Sequence, residues 1–105
     1  MISGDIIRGY VDIMILYLLL DEPCYAYALS KRIRQQTQEK YILKETTLYS
    51  ALNRLEKAGY VTSFTDDSSG KRRTYYRINA SGNDYYQAKT REWALTKDVM
   101  ERFVK

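Results

Sequence analysis

Seven side chains, Thr46, Thr47, Tyr49, Ser50, Asn53, Arg54 and Lys57, are interleaved with Leu48, Ala51, Leu52 and Leu55. The apolar four fall at i, i+3, i+4 and i+7, so on a helix they share one face and leave the seven on the other. These are side chains suited to nucleic acid. Asn and Arg match base edges, hydroxyls bond phosphates or bases, and Lys neutralises phosphate. The N-terminal half of a reading helix lies nearest the bases. Thr46, Thr47, Tyr49, Ser50 and Asn53 are therefore the expected readers, and Arg54 and Lys57 the expected backbone clamps. An ordinary solvated helix face also carries Asn, Arg and Lys. The nucleic-acid reading is favoured because no acidic residue intervenes between Thr46 and Glu56, and because a hairpin rich in cations lies downstream.

That second group of cations, Lys71, Arg72, Arg73 and Arg77, lies on a segment that reads as the returning strand of a hairpin. A basic hairpin beside a reading helix can lie along phosphates or push an arginine into a narrow minor groove. Charge on an edge strand also guards against aggregation. Both roles are compatible. Tyr25 and Tyr27 add hydroxyls that can reach phosphate, although packing is an equally good use of a tyrosine.

Other chemistries find little support. The chain has one cysteine, Cys24, and no histidine, so neither a Cys/His zinc site nor a Ser-His or Cys-His pair can be assembled within it. Asp84 and Glu92 lack partners for acid–base work. Asp66-Asp67 reads as a solvated turn rather than a metal site, and Cys24 as an inert thiol in apolar surroundings. No enzyme, cofactor or metal is expected. Seventeen Lys and Arg against thirteen Asp and Glu give a net charge of +4, a mild lean toward anionic partners. The apolar run Ile13–Leu20 is too short to span a bilayer, and the Met1 end shows no basic leader or cleavage site. A cytoplasmic location is expected.

The elements that must position these residues follow from periodicity. Ile6, Ile7, Tyr10, Ile13, Met14, Tyr17 and Leu18 predict a first helix over Asp5–Leu20, ended by Pro23, and Leu16, Leu19 and Leu20 widen its apolar face into that of a largely buried helix. A second helix is expected over Tyr25–Gln36, with Ala28, Leu29 and Ile33 inward, then a brief extended piece at Tyr41–Leu43. The third runs over Thr46–Lys57 and stops at Gly59, where a left-handed cap suits a residue without a Cβ. Tyr60–Thr65 and Lys71–Ile78 form a hairpin around the turn residues Asp66–Gly70. Asn79 caps a last helix over Ala80–Val104, with Gly82 a weak point in its first turn. Tyr86, Trp93 and Met100 repeat every seven residues, which suggests contact with a second subunit. Trp93 then reads as an interface anchor or, facing its twin, as one wall of a site for a flat ligand. Three helices, a hairpin and a long helix make a mainly α, α+β chain: a winged helix-turn-helix. Residues 1–79 form the DNA-binding domain and 80–105 the dimerisation helix.

The fifteen residues Thr47–Val61, TLYSALNRLEKAGYV, resemble the signature of the PadR family of bacterial transcriptional regulators. Gly70–Ile78, GKRRTYYRI, is similar to that family's basic wing, and Tyr25-Ala26-Tyr27 to the start of its second helix. The resemblance implies a homodimer built on the C-terminal helix and bound to a pseudo-palindromic operator. It also implies repression relieved by a small molecule. With a single C-terminal helix the chain resembles the short, multidrug-responsive members, where an aromatic at the position of Trp93 lines a pore between subunits. A planar apolar or cationic effector is the ligand this implies. Ser50 stands where the family often has proline, and Ala26 where it usually has glycine. The first departure is expected to alter which bases are read. The alternative function is a winged-helix protein-interaction module without sequence-specific DNA binding.

Overall fold

A computed structural model describes residues 2–105; Met1, where the expected first domain begins, lies outside the described residues. The chain opens with a short helix α1 (Gly4–Ile7), passes through a 3₁₀ turn at Arg8–Tyr10 and continues as α2 (Val11–Asp21). One continuous helix was the expectation. Gly9 sits at the interruption, where helix propensity is weakest. The inward face differs in part. Leu16, Leu18 and Leu19 are buried as expected, joined by Val11 and Ile15, whereas Ile6 and Tyr17 are exposed. This segment is apolar almost all round, so its periodicity could not select the side that meets the core.

Pro23 closes α2, and Cys24–Tyr25 forms a two-residue strand β1 before α3 (Ala26–Gln36). The expected extended piece at Tyr41–Leu43 is not a strand; buried Leu43 pins that connection with one side chain instead. Thr37 organises the same connection. Its hydroxyl donates to the Ile33 carbonyl at 2.9 Å and accepts from the Tyr41 amide at 3.3 Å. Helix α4 spans Glu45–Lys57 and buries Leu48, Ala51, Leu52 and Leu55, the four predicted from spacing. It ends in a Schellman cap. Gly59 has φ of +84°, and the Tyr60 amide reaches back to the Leu55 carbonyl at 3.0 Å.

Strands β2 (Val61–Asp66) and β3 (Arg73–Ile78) pair antiparallel, and β1 adds to the free edge of β3, giving the order β1-β3-β2. Lys71 and Arg72 therefore lie in the connection at the hairpin tip, not on the strand. Alternation along β3 sends Tyr76 to the core, beside Cys24 and Val61 from its neighbours.

Helix α5 (Ala80–Glu101) stops three residues short of the expected end. The Asn79 side chain accepts from the Gly82 amide at 2.8 Å and donates to the Gly59 carbonyl at 2.8 Å, joining the start of α5 to the end of α4. Gly82, doubtful as a helix residue, is required by packing. A Cβ there would stand 2.1 Å from the Tyr60 carbonyl oxygen and 2.7 Å from Ile78. Tyr85 stacks on Tyr60 with ring centroids 4.2 Å apart, and α5 then runs along α2 and beyond. Its projection makes the molecule 52 Å long against 29 Å and 21 Å in the other directions. Among the described residues no helix is long and apolar enough to cross a membrane.

Candidate nucleic-acid interface

Helix α4 is held from three sides, and what remains outside is polar. Its core face is buried by the leucines. On one flank Arg54 donates to Asp12 of α2, whose side chain is only 16% exposed. On the other flank Glu56 accepts from the Ser63 hydroxyl of β2 at 2.6 Å. Between these ties Thr46, Ser50, Asn53 and Lys57 recur at i, i+4, i+7 and i+11 as an exposed row pointing away from the core. Tyr49 is exposed on the same side of α4 as Glu56, two turns before it. Thr47 and Arg54 belong to the opposite side. There, together with Thr46 and Ser50 at the edge of the row, they line a cleft of about 640 Å³ between α4 and the N-terminal segment, with Arg8 and Lys44 contributing further positive charge.

The expected clamp residues thus separate. Lys57 is exposed without an ion pair among the described residues, while Arg54 already has a carboxylate partner. Asp12 was not singled out from the sequence. Its signal was a carboxylate in the first turn of a helix that is otherwise apolar up to its last residue.

The hairpin's cations divide as well. Lys71 and Arg72 are exposed at the tip. Arg73 and Arg77 lie further back on the outer sheet face, each above an aromatic ring: Arg73 is 4.4 Å from the centroid of Tyr25, and Arg77 4.7 Å from that of Phe64. Asp66 accepts from the Ser68 amide at 2.8 Å, and this bond holds its carboxyl below the usual range. With Gly70 at φ of +88° it shapes the tip. Among the described residues no three potential ligands come together for a metal.

Tyr27 stands 69% exposed on the first turn of α3, whereas Tyr25 is half-buried beneath Arg73. Cys24 is buried, and burial pushes its thiol above the ordinary value although Arg32 nearby pulls the other way.

Trp93 is remote from this surface. It is 44% exposed on α5 and lines an apolar groove of about 650 Å³ against α2, with Ile13, Met14, Tyr17 and Tyr86. The Lys97 ammonium lies 5.5 Å from its ring. Beyond Trp93, α5 exposes Val99 and Met100, and Phe103 and Val104 follow it.

Comparison with known proteins identifies the arrangement. Residues 15–88 match the transcriptional regulator PadR-like family. The structure of a transcriptional regulator from Clostridium thermocellum is 54% identical, covers 96% of this chain and 99% of its own, and superposes with a TM-score of 0.91. A PadR family transcription regulator from Clostridium difficile is 37% identical over 92% of this chain and 100% of its own, with a TM-score of 0.81. Bacillus subtilis PadR, solved in complex with operator DNA, shares the fold at 20% identity and a TM-score of 0.69, over 80% of this chain and 48% of its own. The winged-helix architecture and the matching signature have one explanation: the chain belongs to the PadR-like family of transcriptional regulators.

Proposed function

We propose that the chain is a homodimeric, sequence-specific DNA-binding regulator, acting as a repressor that a small molecule relieves. The observation carrying this reading is the exposed row Thr46, Ser50, Asn53 and Lys57 on a helix tied down on both flanks. Such a helix enters a major groove with its side chains already placed. Thr46, Thr47, Tyr49, Ser50 and Asn53 read base edges; Lys57, the tip residues Lys71 and Arg72, and Arg73 and Arg77 behind them engage phosphate. Tyr27 adds a hydroxyl at the start of α3, with Tyr25 next to it. Arg54 contributes mainly by fixing the helix to Asp12. The operator complex of Bacillus subtilis PadR supports DNA as the partner class.

Residues 1–79 do the binding, and 80–105 bring two copies together through the apolar side of α5. Paired reading helices then meet half-sites about 34 Å apart. The groove beside Trp93 supports the effector arm: it is apolar, with one aromatic wall and the Lys97 cation at its margin. A planar apolar or cationic compound stacking there changes how the two heads are spaced.

The deciding experiment is protection mapping on the DNA flanking the coding gene. A protected, two-fold symmetric segment is expected. Its absence at low salt overturns the DNA reading and favours a protein-interaction module. Effector binding is checked by titrating planar cations while following Trp93 fluorescence, with Trp93→Ala as the control for site occupancy by competition. No saturable response in wild type removes the effector arm.

A further inference from the structure

We propose that Tyr25, Tyr75 and Phe64 form a positioning row that holds the guanidiniums of Arg73 and Arg77 ready for a phosphodiester backbone. The inference deepens the DNA reading and rests on it.

The row follows from strand register. Tyr75 lies opposite Tyr25 on β1 and opposite Phe64 on β2, so the three rings share the outer face of the sheet. Tyr25 meets Tyr75 edge-on with centroids 5.4 Å apart, and Phe64 stacks on Tyr75 at 5.6 Å. Residues 73, 75 and 77 alternate to that same face. Each guanidinium then finds a ring at the end of the row, Arg73 over Tyr25 and Arg77 over Phe64. The result is a continuous run Arg73–Tyr25–Tyr75–Phe64–Arg77 across all three strands.

The choice of partner matters. A carboxylate would also restrain an arginine, but it would cancel the charge that a phosphate needs. Among the described residues neither Arg73 nor Arg77 makes an ion pair. Asp66, across the ladder from Arg73, directs its carboxylate to the Ser68 amide. A guanidinium lying on a ring uses its flat face, so the ring does not occupy the N–H edge that donates to phosphate. One Nη of Arg73 also donates to the Ser69 hydroxyl at 3.3 Å, which narrows its rotamers further and leaves its other N–H groups for a phosphate. Restricting these long side chains beforehand lowers the ordering cost at binding.

The test uses the full-length protein and a fluorescein-labelled duplex of mixed sequence, read by anisotropy across a salt series. Phe64→Leu is expected to weaken binding about threefold to tenfold, while Phe64→Tyr, which keeps the ring, binds as wild type. Arg77→Ala lowers the salt slope by about one. In the Arg77→Ala background Phe64→Leu has no further effect, because the ring acts through the arginine. At the other end Tyr25→Leu is expected to bind more weakly than Tyr25→Phe, a difference that isolates the ring from the hydroxyl both variants lack; this pair carries the test if circular dichroism shows Phe64→Leu misfolded. Additive losses in the Phe64–Arg77 cycle, or ring-removing variants that bind like wild type, overturn the proposal and leave the DNA reading intact. A wild-type chain that binds no duplex overturns both.

Discussion

Helices α4 and α5 carry the same kind of apolar signal and use it differently. In α4 the four apolar residues are all buried within the chain, and the polar face is left exposed. In α5, a helix of 22 residues, Gly82 alone is buried; Trp93, Val99 and Met100 stay open. Periodicity marks a surface that requires cover, but not what covers it. For α4 the cover is the rest of the head. For α5 it is, on our reading, a second copy.

Three substitutions break or sharpen this contrast. Leu52→Ala, at a fully buried position of α4, is expected to cost about 3 kcal/mol or more through the cavity it leaves, seen as a lowered urea midpoint. Gly82→Ala should cost about 2–3 kcal/mol, because the new methyl meets the Tyr60 carbonyl and the root of α5 must shift. An unchanged melting temperature would contradict the packing described. Met100→Asp on the exposed part of α5 is expected to alter the stability of an isolated protomer by less than about 0.5 kcal/mol. Sedimentation should nevertheless show loss of dimer, and a variant that dimerises as wild type would place the interface elsewhere.

The smallest effect is alkaline. Cys24, Tyr41 and Tyr76 all have raised values, in each case chiefly through burial. The folded state keeps these protons where the unfolded chain releases them. Their contribution is intact below the unfolded value and is lost as pH climbs from there through the folded one. Stability should therefore begin to decline as pH passes 9, the ordinary thiol value for Cys24, and fall faster above 10, where tyrosines ordinarily titrate. Thermal melts between neutral and alkaline pH read this directly. Slow alkylation of native Cys24 near neutral pH, accelerated by denaturant, reports the same burial.

Most of the head was legible because its signals are local. Leu48, Ala51, Leu52 and Leu55 specify one helix face wherever the helix sits, and Gly59 and Gly70 mark backbone turns that a Cβ disfavours. The first helix was less readable, since residues apolar on every side give no preferred face. The strand at Cys24–Tyr25 was invisible because two residues have no periodicity; it exists only where the edge of β3 accepts it. Arg54 was legible as a cation on a polar face, but its partner Asp12 lies 42 residues away in sequence.

What the sequence determined by itself is the inventory: a helix with a polar face, a basic hairpin, a long helix with an unburied stripe, and the family signature. These depend on neighbours a few residues apart, where helix and strand geometry dictate who shares a face. Tertiary structure alone decided how the cations are used. It paired Arg54 with a carboxylate, laid Arg73 and Arg77 on aromatic rings, and left Lys57, Lys71 and Arg72 exposed. It also turned Gly82 from a flaw in a helix into the point where two elements touch. A charge or a missing side chain acquires its role from what lies across the gap, and that depends on how distant segments meet.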